Sequence, residues 1–166
     1  LAKLNYQQAL DANHVAVQLA EINTDLAEEA TQSAFKAMEN ANELAKDSGE
    51  SAYAALEHAR NISSWSIESA KTAWDEAERI LAQAIIDGVT GYQLTQLEAN
   101  AENAEANYET VKSQQRANVD STEGTYETTR EQNKSSVDSA KSAYEQSLLN
   151  QSSTTWTNLS NTQNAE

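Results

Sequence analysis

Several short patterns in this chain carry side chains with chemical potential. A Tyr followed by Glu recurs at Tyr108-Glu109, Tyr126-Glu127 and Tyr144-Glu145, eighteen residues apart each time, as a phenol and carboxylate site copied along a surface would. The stretch "SAFK" (Ser33 to Lys36) fits the S-x-x-K pattern of serine acylases, yet the companion S-D-N and K-T-G motifs are absent, so no nucleophile is assigned. The two histidines, His14 and His58, have no second His and no Cys within one or two turns. A metal would have to rely on carboxylates such as Glu57, and a solvated helix histidine is the simpler reading. The acidic groups Glu28-Glu29 and Asp75-Glu76 with Glu78 lack the turn glycine and alternating oxygen ligands of a calcium loop and read as a charged face. With no G-x-S-x-G, P-loop or G-x-G-x-x-G either, the chain reads as non-enzymatic, with no catalytic set, metal site or bound cofactor expected.

Composition narrows the partners. The formal net charge is -15, with fifteen acids and six bases in residues 1 to 90 and eleven and five in the remainder. No basic patch is available for nucleic-acid phosphates or an anionic membrane surface, and no run approaches the roughly 18 apolar residues of a membrane span. Leu, Ile, Val and Phe together number only 26, against 28 Ala. That is the range of disordered chains, but abundant helix formers and the absence of Pro suit long helices equally. The chain has no Cys, which removes disulfides and thiolate chemistry without fixing a compartment. Four N-x-S/T sequons, at Asn61, Asn133, Asn150 and Asn158, tip the expected location slightly towards the extracellular space or a secretory granule.

Apolar periodicity supplies the elements that would position these residues. A first stripe runs Ala12, Val15, Leu19, Ile22, Leu26, then Ala30, Ala34, Ala37, Ala41 and Leu44, the 3,4 spacing of an amphipathic helix. "AKDSGES" follows, with Gly49 as a stop and Ser51 as a cap. A second stripe, Leu56, Ala59, Ile67, Ala70, Trp74, Ala77, Leu81 and Ala84, ends at "DGVTG", the strongest turn signal in the chain. A third runs Leu94, Leu97, Ala101, Ala104, Tyr108 and Val111 into a polar segment, where the pattern near Gly124 fits both a turn and a continuous helix. The expectation is one all-α domain: an elongated antiparallel bundle of three to four nearly straight helices at about 4-46, 51-87, 92-118 and 122-150, with a polar tail 151-166. Trp156 and Leu159 in that tail would dock on the bundle or face a neighbour.

The aromatic residues mark a longer period. Phe35, Tyr53, Trp74, Tyr92, Tyr108, Tyr126 and Tyr144 are separated by 18, 21, 18, 16, 18 and 18 residues. Eighteen residues make five turns, so a ring within a helix returns to one face about 27 Å further on. The small residues before most of them, such as Ala34, Ala52 and Ala143, suggest rings set against small side chains on a neighbouring helix. The repeat then has a structural purpose, with Tyr92, Tyr108, Tyr126 and Tyr144 as core markers.

In composition the "ESAKTAWDEAERI" style resembles exchangeable apolipoproteins, late-embryogenesis desiccation proteins and acidic coiled-coil proteins of secretory-granule lattices. The eleven-residue unit and Lys richness of the first two are missing. Two function classes follow. One is a structural protein associating with copies of itself or related chains, because Gln115, Asn118, Thr122 and Asn133 occupy a seam where a free-standing core would want Leu. The other is a carrier of a long apolar ligand, a lipid or pigment, held among Phe35, Tyr53, Trp65 and Trp74.

Overall fold

With no proline and only four glycines in 166 residues, little interrupts helix propagation. A computed structural model, which describes residues 2-163, has two long helices packing against each other, α1 (Ala2–Ile86) and α2 (Tyr92–Gln163). No strand occurs among the described residues.

The turn between them is built by the two glycines of "DGVTG". Gly88 (φ 74) and Gly91 (φ 68) are left-handed, a conformation in which a Cβ is penalised. The Val89 N–H donates to the Ala84 carbonyl at 3.0 Å and the Gly88 N–H to the Ile85 carbonyl at 3.2 Å. These are the two bonds of a Schellman motif with Gly88 just past the helix end. Gly91 then accepts from the Thr95 N–H at 3.2 Å and opens α2.

The expected break at residues 47-50 is corrected, since α1 passes through Gly49, and of the two readings left open near Gly124 the continuous helix is the one found. Neither glycine has a positive φ, and an interior Gly costs a helix only about 1 kcal/mol. Around Gly124 the threonines turn inward on their own helix. Thr122, Thr125, Thr128 and Thr129 each donate a hydroxyl to the carbonyl four residues earlier, at 2.8 to 3.0 Å. α2 also runs past the expected stop, so the sequence 151-163 is helical, not a tail, and Thr155 back-bonds to the Gln151 carbonyl in the same way; residues 164-166 lie outside the described residues.

By contacts the chain divides into two compact units, a turn unit (Ser48–Arg130) and a terminal unit comprising the described parts of Leu1–Asp47 and Glu131–Glu166. In the turn unit Trp74 meets Tyr108 and Tyr53 meets Tyr126, a descending order that makes the two segments antiparallel. Leu56, Ala70, Ala84, Ala101 and Ser63 are its buried residues. The expected stripes from Leu56 to Ala84 and from Leu94 to Val111 are the covered faces here.

The terminal unit departs from expectation. Its α1 segment covers Ala20, Thr24, Ala27, Thr31, Ala34, Met38, Ala41 and Ala45, while Val15, Leu19, Ile22, Leu26 and Leu44 are exposed. The physical reason lies across the seam. There α2 offers Asn133, Ser147 and Asn158, whose amides and hydroxyl need acceptors that a Leu face lacks. Asn133 Nδ2 donates to the Ala45 carbonyl at 2.8 Å, and Asn158 Nδ2 to the Ala20 carbonyl at 2.8 Å and Thr24 Oγ1 at 2.9 Å. Thr31 Oγ1 lies 3.1 Å from Ser147 Oγ.

The two glycine roles give opposite expected outcomes. A Cβ at Gly124 or at Gly88 would meet nothing within 4 Å, so backbone conformation alone decides. Gly124→Ala should stabilise the fold by about 1 kcal/mol, and Gly88→Ala should destabilise it by about 1 kcal/mol. Urea denaturation midpoints check both; destabilisation by Gly124→Ala would return a turn to that position.

Candidate functional site

The most organised group of side chains in each unit is its aromatic layer. In the terminal unit Phe35 tilts against Tyr144, with ring centroids 5.4 Å apart and planes at 60°. In the turn unit Tyr53 meets Tyr126 edge-on at 6.0 Å and 62°, and Trp74 stacks on Tyr108 at 5.4 Å and 25°. All three are within the preferred range for aromatic pairs. Rings therefore meet rings, where the small residues beside them suggested rings against Ala.

Of the four residues considered for an apolar ligand, Phe35, Tyr53 and Trp74 each stand in one of these pairs, and Trp65 is 72% exposed on another face. Within the turn unit, Tyr53 and Trp74 belong to different ring pairs. Tyr92 is exposed beside the turn, with its hydroxyl accepting from Gln96 Nε2 at 3.1 Å; the other three marker tyrosines are all in ring pairs.

The polar partners of the rings are local. Tyr53 donates its hydroxyl to Glu57 Oε1 at 3.1 Å, and this bond, with the charge of the same carboxylate, pushes the phenol above its usual pKa. Glu57 is thus engaged by a tyrosine on the turn before His58. Lys112 Nζ bonds Glu109 at 2.8 Å and lies 5.1 Å from the Tyr108 ring centre, a cation held over a π face. The bond to Glu109 raises the ammonium's pKa. Two of the glutamates that follow the repeated tyrosines are engaged by lysines instead: Glu109 serves Lys112, and Glu145 lies 3.9 Å from Lys141.

Elsewhere the charges pair along one helix. Lys71 meets Asp75 at 2.7 Å and Arg79 meets Glu76 at 2.7 Å, which occupies two of the clustered acids. Arg60 to Glu123 at 3.0 Å crosses between helices in the turn unit. These pairs are solvated and contribute little each. Among the described residues no group of three or more His, Cys, Asp or Glu is placed to hold a metal ion, and none of the described helices is long and apolar enough to cross a membrane.

The sequons separate into two kinds. Asn61 and Asn150 are exposed. Asn133 and Asn158 have their amide nitrogens committed to carbonyls in the seam. Asn133 was among the polar positions expected in the seam; the seam role of Asn158, with that of Thr24, Thr31 and Ser147, escaped an apolar pattern search. The available signal was spacing: Asn133 and Asn158 are 25 residues apart, about seven helical turns. No family model matches the chain, and neither does any curated protein or solved structure.

A ring pair that orders the seam should show energetic coupling. A double-mutant cycle on Tyr53→Ala and Tyr126→Ala, read by chemical denaturation, should give a coupling of about 0.5–1.5 kcal/mol. Additive effects would mean that the rings merely lie near each other.

Proposed function

We propose that this chain is a non-enzymatic structural subunit, an antiparallel helical hairpin on an eighteen-residue repeat, which associates with copies of itself or with related chains. The observation that carries this reading is where the apolar side chains lie. Among the described residues the buried hydrophobic set is Leu56 and four alanines, and no side chain is fully buried. Leu19, Ile22, Leu26, Leu44, Ile62, Trp65 and Ile80 are all exposed. An isolated chain would leave in water the residues best able to stabilise it, at about 25 cal/mol per Å² of apolar surface.

Support for the repeat comes from the spacing of covered positions. Counted from Thr31, Gly49 and Ile67 in α1, they recur at offsets of 0, 3, 7, 10 and 14 residues. Counted from Leu97, Gln115 and Asn133 in α2, they recur at 0, 4, 7, 11 and 14. Five turns per unit keep the covered face at one azimuth. Asn118, included in the expected seam, is exposed, and Val119 takes the covered place. A face that does not wander is what a laterally packed subunit requires.

Sedimentation equilibrium tests the proposal. The weight-average mass should rise above 18.1 kDa as concentration increases. It should rise further with salt, because two copies each carry a net charge of -15 and their repulsion is screened. A stable monomer at high concentration and every ionic strength sinks the reading.

A further inference from the structure

Resting on that reading, we infer that the turn unit meets a second copy of this chain through one flank of α2, the row of uncharged side chains from Gln96 to Thr128. A strict local order defines the row. From Leu97 to Tyr144, α2 has fourteen covered positions on the 0, 4, 7, 11 and 14 count. Each is followed by a charged residue and preceded by an uncharged one, and thirteen of the fourteen preceding residues are Asn, Gln, Ser or Thr. Asn107-Tyr108-Glu109, Gln114-Gln115-Arg116 and Thr125-Tyr126-Glu127 show this in the turn unit, and Gln132-Asn133-Lys134 repeats it in the terminal unit. The recurring Tyr-Glu pair is one instance of the order.

Neighbouring residues stand 100° apart on a helix, so α2 has a charged flank on one side of its covered face and an uncharged flank on the other. In the turn unit all ten residues of the uncharged flank are exposed. On the charged flank Glu109 pairs with Lys112, and Glu123 with Arg60 of α1. Those ions find partners within one copy and stay in water.

Charge decides the occupant. Between residues 96 and 128 the charged flank carries seven acids and two bases, so two copies meeting there would set like charge against like. A cationic partner would take that same flank, and an anionic one finds no counter-charge on either. Contact through the uncharged flank takes no ion out of water and avoids the desolvation that a charged contact incurs. Its amides and hydroxyls both donate and accept, so the row is complementary to another copy of itself, as a two-fold contact requires.

Two measurements on the full chain test this flank. Asn107→Glu with Thr125→Glu should weaken self-association at least about ten-fold in sedimentation, because like charge is brought into the contact. Arg116→Glu changes the net charge by the same two units on the charged flank; in about 0.15 M salt, where distant charges are screened, it should leave association within about three-fold of wild type. All three sites are exposed, so helicity in circular dichroism should persist. Because the native chain has no Cys, a single cysteine reports cover directly. Gln114→Cys should react with a maleimide at least about five-fold more slowly in concentrated than in dilute chain, as the associated fraction grows, and Arg116→Cys at the same rate in both. The cysteine reads the native flank even where the Glu variant loses helicity. If the wild-type chain associates, but the Glu pair weakens it no more than Arg116→Glu and Gln114→Cys gains no protection, this flank is wrong and the structural reading stands. A wild-type chain that stays monomeric overturns both.

Discussion

Two helices of 85 and 72 residues can stay in contact without supercoiling only if their touching faces return to the same azimuth turn after turn. An α-helix has 3.6 residues per turn, so a strict seven-residue pattern drifts and forces supercoiling. Steps of three and four that total eighteen in five turns do not drift. The covered positions keep to that count from Thr31 to Leu81 in α1 and from Leu97 to Ser147 in α2, which supports the proposed eighteen-residue repeat. The rings of Tyr53 and Tyr126 meet from different points of that count, four residues after Gly49 and eleven after Gln115.

The seam is narrow and partly polar, and that composition has an energetic meaning. Ala and Thr permit close approach but bury little apolar area, so the hydrophobic contribution per turn is small. The amides of Asn133 and Asn158 instead reach backbone carbonyls across the terminal unit. Such bonds add only about 1 kcal/mol net, but sliding the helices by one turn would orphan the amides at a greater cost. In the terminal unit, then, polar groups act chiefly on register, much as a single Asn does in a coiled coil. Ring stacking and Leu56 carry more of the burial in the turn unit.

How much was legible follows from the same division. The face from Leu56 to Ala84 was readable because its large apolar residues are the covered ones. The face from Ala20 to Ala45 was legible only at Ala34 and Ala41: the Leu and Ile stripe beside it outweighs Ala and Thr on any hydropathy count. Gly49 and Gly124 resemble punctuation only when helix length is judged locally, where about 1 kcal/mol can stop a short helix. The DGVTG turn was readable because left-handed conformations demand glycine. For the aromatic layer, the period identified every ring but not its opposite number, since pairing depends on the register between helices and one helix's spacing does not contain it.

The residues that misled the reading of α1 are also its most informative. A hairpin whose only requirement was its own stability would turn Leu19, Ile22 and Leu26 inward and leave Ala20, Thr24 and Ala27 to water, by rotating α1 by about a third of a turn. The polar α2 face forbids that rotation, since Asn158 would then confront Leu. The aliphatic stripe is therefore held outward by hydrogen bonds about a third of a turn around the same helix. Within the terminal unit, the polar seam and the bare apolar face are two aspects of one constraint, and a change that made the seam more apolar would also remove the reason for the outer face to stay exposed.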